Sequence, residues 1–250
     1  MRGGPTGAEP PYSRAVGQLE PRVPLPGFWW RVLSPLGAVV VALAGLIVLF
    51  AGLSASGMGE NSQSAVATTA TGALLLGFAL VLWRGLPAHE RRRALAVKGS
   101  VRRAVLAGLG GGVALVIVSQ AILLIGVAID PAARRRLDDL GEQIGPSPWQ
   151  VALTIVSLVV LAPIGEELLF RALLLRALAR RLPFWAAALV SGAAFAAAHV
   201  DAFFLWPRAI ALFATGLGLA WLYRRRGYLT CVLAHATING VAAIALVAGA

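Results

Sequence analysis

The chain has 250 residues, 58% hydrophobic and 13% charged, with a formal net charge of +11 that is almost all arginine. Soluble domains carry about 25% charged residues, so an ordinary soluble fold is excluded and a lipid-packed one is expected. A single cysteine, Cys231, excludes an internal disulfide framework and a cysteine-rich zinc site.

Residues 1–27 contain six prolines and no apolar run. They are expected to form a disordered tail, taken to about residue 30, with no cleavable signal peptide. The first apolar segment would then act as an uncleaved targeting signal. A membrane span needs about 20 mostly apolar residues. That rule predicts helices over Leu33–Leu53, Ala65–Trp83, Ala104–Ile129, Trp149–Leu168, Phe184–Val200, Ala209–Tyr223 and Leu229–Val247. The fold class expected is all-α: a polytopic transmembrane bundle of about seven spans, with a cavity among the four C-terminal helices. Residues 31–147 would form the N-terminal helices and loops, and 148–250 the catalytic region.

With the N-terminus in the cytoplasm, 18 of the Lys and Arg residues fall on the inner side, and only Arg134–Arg136 and Arg208 fall outside. This is a strong positive-inside bias, and it accounts for the basic balance without nucleic acid. All seven tryptophans (29, 30, 83, 149, 185, 206 and 221) lie near span ends, as an aromatic belt requires. The expected location is the plasma membrane, with the C-terminus outside and the lipid bilayer as the surrounding partner. Gly108 and Gly112 form a G-x-x-x-G pair, which predicts close helix packing. The segment Asp130–Ser147 reads as an outer loop, and Arg91–Arg93 as a solvated inner one.

Three polar patterns interrupt the C-terminal spans: Glu166-Glu167 with Arg171, Phe195 with His199, and His235 with Asn239. Ionisable side chains at membrane depth are costly and mark functional sites by default. Residues four apart share a helix face, so Arg171 should pair with Glu167, while Glu166 points about 100° away. A carboxylate left free in a low-dielectric cavity suits general acid–base work. Pro163 could bend the helix beside the pair. Phe195 should pack against the helix or the His199 imidazole. His235 and Asn239 share a face and could donate to an oxyanion or complete a metal site. Taken singly, the motifs also read as a snorkelling charge cluster, a hydrogen-bonded core histidine and an interhelical clamp.

Taken together and in this order, E-E-x-x-x-R, F-x-x-x-H and H-x-x-x-N resemble the CPBP family, which groups the CAAX prenyl endopeptidases with bacterial Abi-type and bacteriocin-processing relatives. The resemblance runs from about Trp149 to the C-terminus. It implies an intramembrane endopeptidase whose partner is a membrane-embedded or lipid-anchored protein substrate, prenylated in the eukaryotic members. Glu166 would activate water with His199, His235 and Asn239 would stabilise the oxyanion, and Glu167 and Arg171 would support them. Members are commonly called metalloproteases. A Glu166, His199, His235 set with an open position would match a catalytic Zn2+ site. The absence of H-E-x-x-H leaves a metal-free glutamate mechanism using the same residues. Two other readings stand beside this one. One is a non-enzymatic scaffold or chaperone of the same fold, and the other a proton-coupled transporter. Span counting puts Glu166 toward the cytoplasm and His199 toward the outside, so the two must be brought together by staggered helices.

Overall fold

The computed structural model describes residues 25–141 and 147–248; most of the expected tail lies outside this range. The chain order is α1 (Leu25–Ala55), α2 (Glu60–Arg84), α3 (Ala88–Ala94), α4 (Val101–Ile129), α5 (Pro131–Gly141), α6 (Pro148–Leu178), α7 (Phe184–Ala197), a 3-10 turn (Val200–Phe203), α8 (Trp206–Arg226) and α9 (Tyr228–Ala248). Each of the seven apolar segments is helical. Five of the helices (α1, α2, α4, α6 and α9) are long and apolar enough to cross a membrane. Helix α7 is apolar but shorter, and α8 has three arginines in its last turn. Large side chains such as Ile47, Val48, Ile117 and Leu124 are exposed on the helix faces, as lipid-facing positions are. The protein is an integral membrane protein with an all-α bundle.

Two segments depart from the sequence expectation. Helix α1 begins at Leu25 and so takes in residues assigned to the tail. Pro26 falls in its first turn, where a missing N–H leaves no intrahelical bond unmade. The expected outer loop folds as α5 over Pro131–Gly141. Asp130 starts it, its Oδ1 accepting from the Ala132 N–H at 2.9 Å, with Pro131 supplying a first-turn residue.

Helices α4 and α9 pack through the two glycines noted above. A Cβ at Gly112 would lie 2.6 Å from Thr237 Cβ and 2.7 Å from the Ala234 carbonyl oxygen, and one at Gly108 would lie 2.8 Å from Leu233 Cβ. The backbone of α9 therefore rests directly on α4 on both sides of His235. Gly112→Val should destabilise the bundle by about 1–3 kcal/mol, as overpacking does. Thermal unfolding in detergent checks this, and a melting temperature equal to wild type would remove the tight-contact account.

Helix α6 is the least regular element. It widens to π-helix over Ser157–Leu161 and again over Leu168–Leu175, with an α-helical turn, Ala162–Glu167, between them. Pro163 sits in that turn and has no N–H to offer the preceding carbonyls. Three α6 carbonyls are held by side chains of other helices. Asn239 Nδ2 donates to Leu158 O at 2.8 Å, the Tyr228 hydroxyl to Ile164 O at 2.7 Å, and the Ser191 hydroxyl to Phe170 O at 2.8 Å. Such widened turns survive in lipid when neighbours satisfy the backbone.

The fourth span does not end at Leu168 but runs ten residues further, to Leu178. Its charged residues suggested an end because a bare charge cannot stay in hydrocarbon. Arg171 stays because it is fully buried against Glu167. Glu166 is thus an interior residue of α6, well short of its C-terminal end. Helix α7 has 14 residues, about 21 Å of rise against a hydrocarbon core of about 30 Å. It is too short to cross alone, and His199, two residues beyond its end, lines the same cavity as Glu166. The staggering that the sequence required comes from one long helix and one short one.

At the arginine-rich end of the bundle, Arg31 of α1 and Arg180, just after α6, both donate to Glu90 Oε2 on α3. Burial pushes the Glu90 carboxyl up, but the two guanidiniums outweigh this and hold it below its ordinary value of 4.5. Its stabilising effect is therefore complete above the unfolded value and is lost as pH falls through the lower folded value. Melting curves taken from about pH 7 to about pH 3 should fall less steeply on the acid side in Glu90→Gln than in wild type; parallel curves would contradict this.

Candidate active site

Glu167 is the hub of the polar cluster. Its Oε1 accepts from Arg171 Nη1 at 3.1 Å and from His235 Nδ1 at 2.9 Å, and both Glu167 and Arg171 have no exposed side-chain surface. Arg171 Nη2 also donates to the Gly216 carbonyl at 3.2 Å, which ties α6 to α8. Its guanidinium carbon lies 4.5 Å from the Phe195 ring centroid, a cation–π contact. The pairing of Glu167 with Arg171 is the one that helical spacing predicts. Its bond to His235 could not be read from spacing, because it joins α6 to α9.

That bond fixes the imidazole. A carboxylate can only accept, so His235 Nδ1 carries the hydrogen, and Nε2 is the nitrogen turned toward Glu166. His235 Nε2 lies 3.9 Å from Glu166 Oε2, too far for a hydrogen bond. Glu166 Oε2 is buried without a hydrogen-bond partner among the described residues. Adjacent carboxylates on one helix thus have different surroundings: Glu167 is locked between two cations or donors, and Glu166 is not.

His199 follows α7, where its Nδ1 meets the Phe195 carbonyl oxygen at 2.9 Å. The carbonyl can only accept, so this contact assigns the hydrogen to Nδ1 and leaves Nε2 with a lone pair. Phe195 is fully enclosed, and its ring centroid lies 5.0 Å from that of His199 and 5.7 Å from that of His235. It also packs edge-on against Phe170. One phenyl ring therefore spaces both imidazoles and receives the Arg171 charge.

Two cavities meet at these residues. The larger, about 550 Å³, has Glu166 and His199 at one end and opens between α1, α2 and α6. The smaller, about 90 Å³, is lined by His199, His235 and Asn239 on the other side. The larger cavity is not confined to the C-terminal helices, as the sequence led us to expect. Most of its wall is an apolar stripe on α1 (Val39, Leu43, Leu46) and a hydroxyl-bearing stripe on α2 (Ser64, Thr68, Thr71). Both stripes follow helical spacing, but apolar or hydroxyl residues in a membrane helix do not announce which neighbour they face.

Asn239 sits on the same face of α9 as His235. One of its amide hydrogens is used on Leu158 O, and an amide nitrogen has a second. Tyr228 and Ser191, which the sequence reading did not select, position α6 through the carbonyls described above. Their signal was a hydroxyl inside an apolar helix, which must find a partner. Glu166, His199 and His235, the expected zinc ligands, are not gathered around one point: among the described residues, no three His, Cys, Asp or Glu side chains are placed to hold one ion.

No curated protein and no solved structure matches the chain. Residues 148–241, the stretch that contains all three motifs and ends two residues after Asn239, match the family model described as type II CAAX prenyl endopeptidase Rce1-like. This part of the chain is similar to the CAAX protease, or CPBP, family.

Proposed function

We propose that the protein is an intramembrane endopeptidase that hydrolyses a peptide bond in a membrane-embedded or lipid-anchored substrate. A protease acting on membrane-associated substrates is what the family implies. The observation that carries the finer reading is Glu166 Oε2, buried without a hydrogen-bond partner among the described residues and 3.9 Å from His235 Nε2, at the end of a cavity it shares with His199.

Glu166 takes a proton from a water molecule in the cavity. His199 Nε2, its lone pair free, accepts the second hydrogen of that water and aims it. The oxygen adds to the substrate carbonyl carbon, and the carbonyl oxygen takes the negative charge. His235 Nε2, when protonated, and the second Asn239 N–H donate to that oxyanion. Glu166 then passes its proton to the amide nitrogen as the C–N bond breaks. Glu167 acts through His235 by holding Nδ1. No step passes through a metal.

The charge distribution supports a cell-membrane location with the N-terminus in the cytoplasm. Moving buried Arg171 out of the inner-loop count leaves 17 inner basic residues against 4 outer ones, still a strong bias. N-terminal proteomics of membranes expressing wild type or Glu166→Ala at equal level tests the activity. Protein termini found only with wild type are expected, and they would name the substrate. Identical termini across hosts that supply prenylated, lipid-anchored and transmembrane substrates would overturn the proposal.

A further inference from the structure

The smaller cavity beside the hydrolytic centre differs in kind from the larger one. Ser119 and Gln120 line it from α4, Arg208 and Thr215 from α8, and Asn239 from α9, while His199 lines both cavities. Ser119 and Gln120 are interior to a long apolar span, and polar groups at that depth need partners. Protein supplies some of them. The Ser119 and Thr215 hydroxyls lie 2.9 Å apart, Asn239 donates to Leu158 O, and His199 Nδ1 meets Phe195 O. Each contact leaves capacity over: one hydroxyl hydrogen, the second Asn239 N–H and the His199 Nε2 lone pair. A buried water needs about 10–15 Å³ and about two to four polar partners. The cavity holds about 90 Å³, room for more than one. Arg208 stands in the first turn of α8, at the end opposite Arg224–Arg226. Its Nε donates to Asp201 Oδ2 at 2.9 Å, and the two side chains are 39% and 29% exposed. A part-exposed ion pair at a helix end in lipid marks where the protein meets water.

We propose that this cavity is a water chamber, filled from the Arg208–Asp201 end, that supplies the hydrolytic water past His199. The inference rests on the reading of Glu166 as the base that activates water. A substrate seated in the larger cavity covers Glu166 and His199 from that side, and the apolar stripe on α1 offers water no partner. Water from the smaller cavity meets His199 Nε2 without having to pass the substrate. Ser119, Gln120 and Thr215 are then positioning residues. They hold waters in line and do not touch the reacting carbonyl.

The first measurement uses the full chain in nanodiscs and needs no turnover. Silver ion, close to water in size, binds thiolates, and a thiol ionises only where water reaches it. Ser119→Cys should react with Ag+ at least about tenfold faster than Ile117→Cys, at a position 64% exposed on the face of the same helix. Wild type, whose Cys231 is buried, gives the background. The second measurement is the rate at which the wild-type-specific protein termini form in membranes expressing each variant at equal level. Ser119→Leu fills the chamber, and Gln120→Leu removes the amide from its edge at an exposed position that cannot be overpacked. Each should slow cleavage at least about tenfold with the melting temperature unchanged. Ser119→Ala leaves the room in place and should cleave near the wild-type rate. The proposal is overturned if Ser119→Cys and Ile117→Cys react alike, or if both leucine variants cleave as fast as wild type. The silver result stands whether or not any substrate is cleaved, so a dry chamber and a wrong reading of Glu166 are told apart.

Discussion

Glu166→Gln should lower hydrolysis by about 10²–10⁴-fold, the range a positioned general base contributes, with the bundle still folded. Glutamine has nearly the same volume and keeps a carbonyl oxygen, but it cannot take a proton from water. Little stability is at stake, because Glu166 Oε2 has no hydrogen-bond partner to lose among the described residues. Cleavage of a membrane-associated substrate in reconstituted vesicles gives the rate, and melting curves give the fold. Glu166→Asp, which keeps the carboxylate but shortens its reach, should recover part of the rate. Near wild-type turnover in Glu166→Gln would mean that another group activates the water.

Glu167→Ala should have the largest effect on stability, about 3–5 kcal/mol, because it leaves a buried guanidinium without its carboxylate. Glu167 and Arg171 are both fully buried and lie 3.1 Å apart. The same substitution frees His235 Nδ1, so residual folded protein should also lose activity. Arg171→Ala should destabilise by a similar amount, since it strands the carboxylate instead. The double variant Glu167→Leu/Arg171→Met should be milder than either single alanine change, because no charge is then left alone. Unfolding of wild type and the three variants in one detergent decides the matter. If the single and double changes simply add, the pair is not the coupled unit described.

The apolar runs made seven helices legible, because nothing but a helix satisfies the backbone in lipid at that length. The three motifs were legible for a related reason: ionisable groups stand out against hydrocarbon. What spacing could give was intrahelical, and the Glu167–Arg171 pair followed from it. Contacts between helices did not follow. The Glu167–His235 bond, the Tyr228 and Ser191 hydroxyls and the α1–α2 wall all depend on how helices rotate against one another. The end of the fourth span was misplaced because a linear reading treats Arg171 as a charge that must reach water. Burial against Glu167 and over the Phe195 ring removes that need.

The wall of the large cavity comes mostly from residues 39–75, whereas the family match begins at residue 148. On the proposed reading, the residues that cut and the wall that shapes what is cut lie on different stretches of one chain. Substitutions at Leu43 or Thr68 can reshape what enters without touching Glu166, His199 or His235.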